Sequence, residues 1–176
     1  MNSKLQTAKA QKFISENLNK ELDKVILKGS PFEDISIQEL AQQIAGKKTA
    51  QKKLPLWAEN NAVYFPPKIN LEQCSSAQTG AYKTQLLYGT SCIDLTGGFG
   101  VDCTYFAKKI DEVIHCELDK NLSKIAVHNA KSLGTDNLQS YVGDSLETLK
   151  KLNRKFDWIY IDPSRRNKQK GKVFLL

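Results

Sequence analysis

A doubly wound α/β fold is what the second half of this sequence predicts, and three observations predict it. From residue 89 onward, short apolar runs alternate with amphipathic helical patterns. The turn after the first run is rich in glycine, at Gly97, Gly98 and Gly100. Acids stand just past the ends of the later runs, at Glu117, Asp144 and Asp162. Strands alternating with helices imply parallel pairing through right-handed crossovers. Before residue 89 the pattern is helical throughout. The chain therefore divides into an N-terminal helical region, 1–89, and a doubly wound, Rossmann-like α/β domain, 90–176.

The elements follow in order. Ile14, Leu18, Leu22, Val25 and Ile26 mark one face of a helix over residues 3–28, stopped by Gly29-Ser30-Pro31. Ser36 and Glu39 form a capping box, and Ile35 can staple onto Leu40, so a second helix starts at Ile37 and runs to about Ala45. Pro55, Pro66 and Pro67 punctuate a loop carrying Trp57, Tyr64 and Phe65. A third helix spans 72–87 and ends at Gly89. The first strand is 91–95, followed by a helix over 101–109 and a second strand over 112–116. Leu122, Ile125, Ala126, Ala130 and Leu133 line the next helix, which Gly134 stops. The third strand is 138–142. Asp144 and Glu147 cap a helix whose Leu146, Leu149 and Leu152 face the core, and the fourth strand is 156–161.

Composition bounds the function. The chain has 176 residues, 26 basic and 19 acidic side chains and a net charge of +7, with 40% hydrophobic residues. That supports a packed core and excludes wholesale disorder. No apolar run approaches the ~20 residues of a membrane helix, and the polar start is not a signal peptide, so a cytoplasmic protein is expected. Cys74, Cys92, Cys103 and Cys116 lack CxxC spacing and read as reduced core residues. Two histidines make no zinc cluster, so no metal is expected. The basic excess allows a nucleic-acid partner without requiring one. The arginines, Arg154, Arg165 and Arg166, all lie near the C-terminus, and the lysines at 47, 48, 52 and 53 read as a solvated helix end.

Ligands of such sheets bind at the carboxyl ends of the strands. After strand one, Asp94-Leu95-Thr96-Gly97-Gly98-Phe99-Gly100-Val101-Asp102 either cradles a ligand or is an ordinary tight turn. Glu117, 17 residues beyond Gly100, can accept from both hydroxyls of a ribose or stand as a surface acid. Asp144 can accept from an adenine amino group, cap its helix, or do both. A nicotinamide fingerprint wants glycine or alanine where Cys103 stands. Asp162-Pro163-Ser164-Arg165-Arg166 suits a different task, since a proline-fixed turn with an acceptor at the mouth of the site can grip a planar amine or base.

These residues resemble the class I S-adenosylmethionine-dependent methyltransferases. Asp94 to Asp102 is similar to their first motif in the variant D-x-T-x-G-x-G-x-D, with Thr96 where the commoner form has glycine. Glu117 matches the ribose-binding acid, Asp144 the adenine-side acid, and Asp162-Pro163-Ser164-Arg165 the fourth motif, with Ser164 in place of its second proline. Lys53-Leu54-Pro55, Leu71 to Ser76, Thr79 and Tyr82-Lys83, taken with the IDPSRR segment, resemble the bacterial THUMP-like-domain methyltransferases over residues 50–172.

The resemblance implies methyl transfer from S-adenosyl-L-methionine to an RNA base. It implies a cofactor set of Asp94, Thr96, Gly97, Gly98, Gly100, Asp102, Glu117, Asp144 and Lys83, with Gln73 near the methionine end. Asp162, Pro163 and Ser164 would serve the acceptor, with Arg165 and Arg166 on a phosphate or base. The class normally has seven strands. Four are present here, so a truncated domain is expected, with an apolar fourth strand covered by self-association or by the chain's own segments. A non-catalytic RNA-binding module and, behind it, an NAD-dependent oxidoreductase remain the alternative readings.

Overall fold

The computed structural model describes residues 1–163. A 3₁₀ turn (Ser3–Gln6) leads into α1 (Ala8–Asn17), α2 (Leu22–Leu27), α3 (Ile37–Lys53), α4 (Pro55–Glu59), α5 (Lys68–Gln73) and α6 (Ala77–Leu86). Then come β1 (Ser91–Asp94), α7 (Val101–Phe106), β2 (Glu112–Glu117), α8 (Lys120–Ser132), β3 (Leu138–Val142), α9 (Ser145–Leu152) and β4 (Trp158–Tyr160). The strands are all parallel, in the order β3-β2-β1-β4. That order reverses direction between β1 and β4, which opens a crevice at their carboxyl ends.

Several helices differ from the sequence expectation, each for a local reason. The helix expected over 3–28 is broken. Thr7 caps α1 by accepting from Ala10 N, and at its far end the Asn17 side chain donates to Phe13 O at 2.7 Å, a local bond that competes with continuing the helix. The second helix runs past Ala45 to Lys53. Gly46 does not end it, because its bare face is where Phe65 packs: a Cβ there would lie 2.3 Å from Phe65 Cβ. The helix expected over 72–87 is split into α5 and α6, since Ser76 accepts from Thr79 N at 3.1 Å and starts α6 afresh. The Ser36–Glu39 capping box forms as read. In α9, Leu149 and Leu152 pack beneath the sheet, but Leu146 is 58% exposed and does not face the core.

Two of the four lysines read as a solvated helix end are structural. Lys47 is buried and donates to Asn61 Oδ1 at 2.6 Å. Lys53 donates to the Leu71 and Glu72 carbonyls, each at 2.8 Å, closing the end of α5.

Pleating sorts the sheet residues between two layers. Cys92 and Val113 form one layer with Cys103 and Phe106 of α7. Ile93, Ile114 and Cys116 form the other with Leu149 and Leu152 of α9. The largest cluster crosses residue 89: Leu54, Trp57, Phe65 and Leu71 pack with Phe99, Val101, Tyr105 and Ile125. Trp57 and Phe99 have ring centroids 5.0 Å apart. The Asn129 side chain on α8 pairs with both backbone groups of Tyr64, at 2.8 and 2.9 Å, so the segment before α5 is held as a strand partner would hold it. The N-terminal helices are thereby fixed over the crevice. Among the described residues, β4 pairs with β1 alone, and Ile159 and Ile161 are 50% and 58% exposed. No described helix is long and apolar enough to cross a membrane.

Candidate functional site

The site is built on the loop leaving β1. Asp94 is buried and accepts from Thr96 N (2.8 Å), Thr96 Oγ1 (3.1 Å) and the Cys103 thiol (3.3 Å). Burial outweighs these donors and pushes its carboxyl up to about 7. The loop then crosses to β2. Gly97 N donates to Cys116 O at 2.9 Å, and Gly98 N donates to Glu117 Oε2 at 2.9 Å. The other carboxylate oxygen of Glu117 accepts from Asp119 N at 2.8 Å. The glycine loop and the acid that ends β2 are therefore in direct contact.

Beneath the loop lies His115, a residue to which the sequence reading gave no role. Its Nε2 stands 3.1 Å from Gly98 O and its Nδ1 2.9 Å from Ser140 Oγ, which in turn lies 2.8 Å from Ser123 Oγ. A carbonyl only accepts, so Nε2 carries the proton and Nδ1 accepts from Ser140. Burial lowers the pKa of this imidazole, which fits the neutral tautomer. Period-two alternation holds the signal that could have found it, because His115 shares a strand face with Glu117.

A charged cluster closes the other side. Lys83 of α6 donates to Ser75 Oγ at 2.9 Å and to both Asp102 oxygens at 3.2 and 3.3 Å. It also bonds the Tyr160 hydroxyl and has Asp162 Oδ2 at 3.8 Å. Tyr160 Oη lies 3.4 Å from both Asp102 and Asp162. Burial, with those carboxylates beside it, raises the phenol's pKa, so Tyr160 stays protonated. Ser75 and Tyr160 were also missed. Tyr160 shares its strand face with Asp162, the same parity that places His115 with Glu117. Across the strand ends, Asp162 N donates to Thr96 Oγ1 at 2.7 Å.

The glycine loop, Glu117 and the Lys83 cluster line a cleft of about 1260 Å³, larger than the few hundred to about 1,000 Å³ of ordinary ligand sites. Asp94, Thr96, Gly97, Gly98, Gly100, Asp102, Glu117, Lys83, Asp162 and Pro163 all border it, as does Gln73. Leu118 and Leu122 add an apolar wall beside Glu117, which sequence reasoning had not used. Asp144 borders it only through its neighbours Gly143 and Ser145, while its own carboxylate caps α9 by accepting from Glu147 N at 2.9 Å. Cys74 also faces the cleft, but burial pushes its thiol up to about 11, so it is no thiolate at neutral pH. Ser164, Arg165 and Arg166 lie outside the described residues.

A parallel sheet with a glycine turn after β1, an acid ending β2 and an Asp-Pro turn after β4 gives the described residues a Rossmann-like fold. The profile of the RNA cap guanine-N2 methyltransferase family matches residues 89–164. A crystal structure from Porphyromonas gingivalis W83, of a protein provisionally assigned as a methyltransferase, superposes with a TM-score of 0.75 at 28% identity over 94% of this chain. The chain spans 42% of that protein's length. The O-methyltransferase TomG of Streptomyces achromogenes, solved with S-adenosylmethionine, is similar at a TM-score of 0.48 and 17% identity, over 53% of this chain and 47% of that one. A Pyrococcus horikoshii protein provisionally assigned as an RNA methyltransferase is similar at 0.47 and 16%, over 65% and 60%. No curated protein matches the chain.

Proposed function

We propose that this cleft binds S-adenosyl-L-methionine and that the chain carries the donor side of a methyltransferase acting on an RNA base. The observation that carries the reading is the Gly98–Glu117 contact, which puts the glycine turn and a carboxylate around one volume. The residues fit the group. Each Glu117 oxygen accepts one amide and keeps a lone pair for a ribose hydroxyl. Gly98 faces open cleft, where a Cβ would meet nothing nearer than Thr96 O at 3.6 Å, so a ligand can lie against its backbone. Lys83 and Asp102 offer opposite charges to an amino-acid end carrying both. Leu118 and Leu122 are apolar surface for a purine face, with Asp144 in reserve for its amino group.

The bound cofactor supplies a methyl group already activated on a sulfonium. What remains for the chain is to bind, orient and exclude water. Asp162 and Pro163 stand at the cleft mouth beside Thr96, where a carboxylate can accept from an exocyclic amine. In sequence Ser164, Arg165 and Arg166 follow directly, and by the resemblance Ser164 would serve the acceptor while Arg165 and Arg166 would meet a phosphate or base. The guanine-N2 description of the matching family supports an RNA acceptor with such an amine. Membership of the THUMP-like group, a division at residue 89, a cytoplasmic setting and self-association over the β4 edge complete the proposal.

Calorimetry with S-adenosylhomocysteine and with NAD tests it. The adenosyl ligand should bind and NAD should not. Glu117→Ala and Glu117→Gln should each weaken binding at least about tenfold, the scale of one charge-assisted hydrogen bond. Unchanged affinity in both variants, or preference for NAD, overturns the reading.

A further inference from the structure

We propose that Thr96 is a positioning residue: its hydroxyl fixes the Asp162-Pro163 turn against the glycine loop, and does not serve the cofactor. The proposal rests on the reading above for its catalytic meaning, but its geometry stands apart from it.

Strands β1 and β4 run in parallel as far as the bond from Leu95 N to Tyr160 O at 3.0 Å. A parallel ladder continued one step would take the Asp162 amide to the Leu95 carbonyl. It goes instead to Thr96 Oγ1 at 2.7 Å. A side chain has taken the place of the backbone acceptor at the point where the two strands part. The direction of this bond is settled by the other side of the hydroxyl. Thr96 Oγ1 lies 3.1 Å from Asp94 Oδ1, which already accepts Thr96 N at 2.8 Å, while the Cys103 thiol stands on Oδ2 at 3.3 Å. A hydroxyl has one proton. Thr96 gives it to Asp94, and its lone pairs are left for the Asp162 amide.

The next residue, Pro163, has no amide of its own and restrains the backbone of Asp162 before it. Asp162 N is thus the last donor the chain offers before the turn. Held there, the Asp162 carboxylate is directed toward Tyr160 Oη at 3.4 Å and Lys83 Nζ at 3.8 Å. Threonine suits the task better than serine, because its β-branch restricts χ1. The two loops on which the reaction depends are therefore joined by one side chain, at the position where this sequence departs from the commoner glycine.

Backbone amide exchange by NMR on the 176-residue chain tests this, with Thr96→Val removing the hydroxyl at constant shape and Thr96→Ser restoring it. Exchange of the Asp162 amide should quicken about tenfold in Thr96→Val and return to within about threefold of wild type in Thr96→Ser, as expected for one hydrogen bond. The dissociation constant of S-adenosylhomocysteine, measured alongside, should move less than about threefold in either variant. An Asp162 amide that exchanges alike in all three proteins overturns the proposal. So does a Thr96→Val loss of S-adenosylhomocysteine affinity of about tenfold or more, which would put the hydroxyl on the ligand. If the wild type binds no S-adenosylhomocysteine, the cofactor reading fails, and the exchange rates alone still support or overturn the tie.

Discussion

Gly97 and Gly98 are neighbours in one glycine-rich turn, yet alanine should have unequal effects at the two positions. A Cβ at Gly97 would lie 2.2 Å from His115 Cδ2 and 2.5 Å from Nε2. Relief requires a movement of about 1 Å to reach van der Waals contact. The ring cannot supply it, being fully buried and bonded at both nitrogens. Nor can the loop move freely, because Gly97 N is tied to Cys116 O and Gly98 N to Glu117. Overpacking of this kind costs about 1–3 kcal/mol, and one broken hydrogen bond adds about 1 kcal/mol. Gly97→Ala should therefore lose about 2–4 kcal/mol of stability. At Gly98 the Cβ meets nothing closer than 3.6 Å, and the cost is that of φ = +53° in a non-glycine residue, about 1–2 kcal/mol. Urea denaturation of both variants measures the difference, with circular dichroism reporting the transition. A Gly97→Ala protein as stable as Gly98→Ala would refute the reasoning, since it would mean that His115 does not support the loop.

Two further outcomes concern pH. Asp94 titrates near 7 in the folded chain because it is buried, well above an unfolded carboxyl. Between about pH 4 and pH 7 the folded state keeps a proton that the unfolded chain has released, so this contribution to stability is lost as pH rises through that window. Asp94→Asn should flatten the fall in urea midpoint between pH 5 and pH 8, and a variant profile parallel to wild type would exclude Asp94 as its source. Asp157 behaves in the opposite sense. It accepts from Thr90 N, Ser91 N and Ser91 Oγ at 2.8–2.9 Å, which holds its carboxyl below the usual range. Its stabilising effect is present at neutral pH and is lost as pH falls through the folded value, so the deficit of Asp157→Ala should be clear at pH 7 and shrink toward pH 3.

The βα half was legible because each signal there is local. Alternating apolar runs fixed the strands 138–142 and, within two residues at either end, 91–95 and 156–161, and the glycine turn and following acids marked the rim. The N-terminal half was less so, for reasons that lie outside any short window. The helix expected to end near Ala45 continues through Gly46, whose bare surface is covered by Phe65, 19 residues later. Lys47 and Lys53 read as solvated charges until Asn61 and the end of α5 are folded against them. At the site, residues placed by backbone turns were found, whereas His115, Ser75 and Tyr160 were not. Their parts depend on partners from other elements: Ser140 for His115, Asp102 for Ser75, Lys83 for Tyr160.

The glycine loop has a further property that follows from its position on the central strand. It is held from three directions by the chain's own groups. From β2 it receives the Cys116 carbonyl, the Glu117 carboxylate and the His115 ring. From the β4 side it receives the Asp162 amide, through Thr96. From the N-terminal helices, Ser75 and Lys83 hold Asp102 in the first turn of α7. A loop already ordered does not add the cost of ordering to the cost of binding. The amides of Gly97, Gly98 and Gly100 should then be protected from exchange in the free protein, and S-adenosylhomocysteine should change their protection less than that of Leu118, which is 73% exposed at the cleft edge. If the loop instead becomes protected only on ligand addition, these bonds do not persist in solution. The site would then be formed by binding, and affinity would carry the cost of ordering the loop.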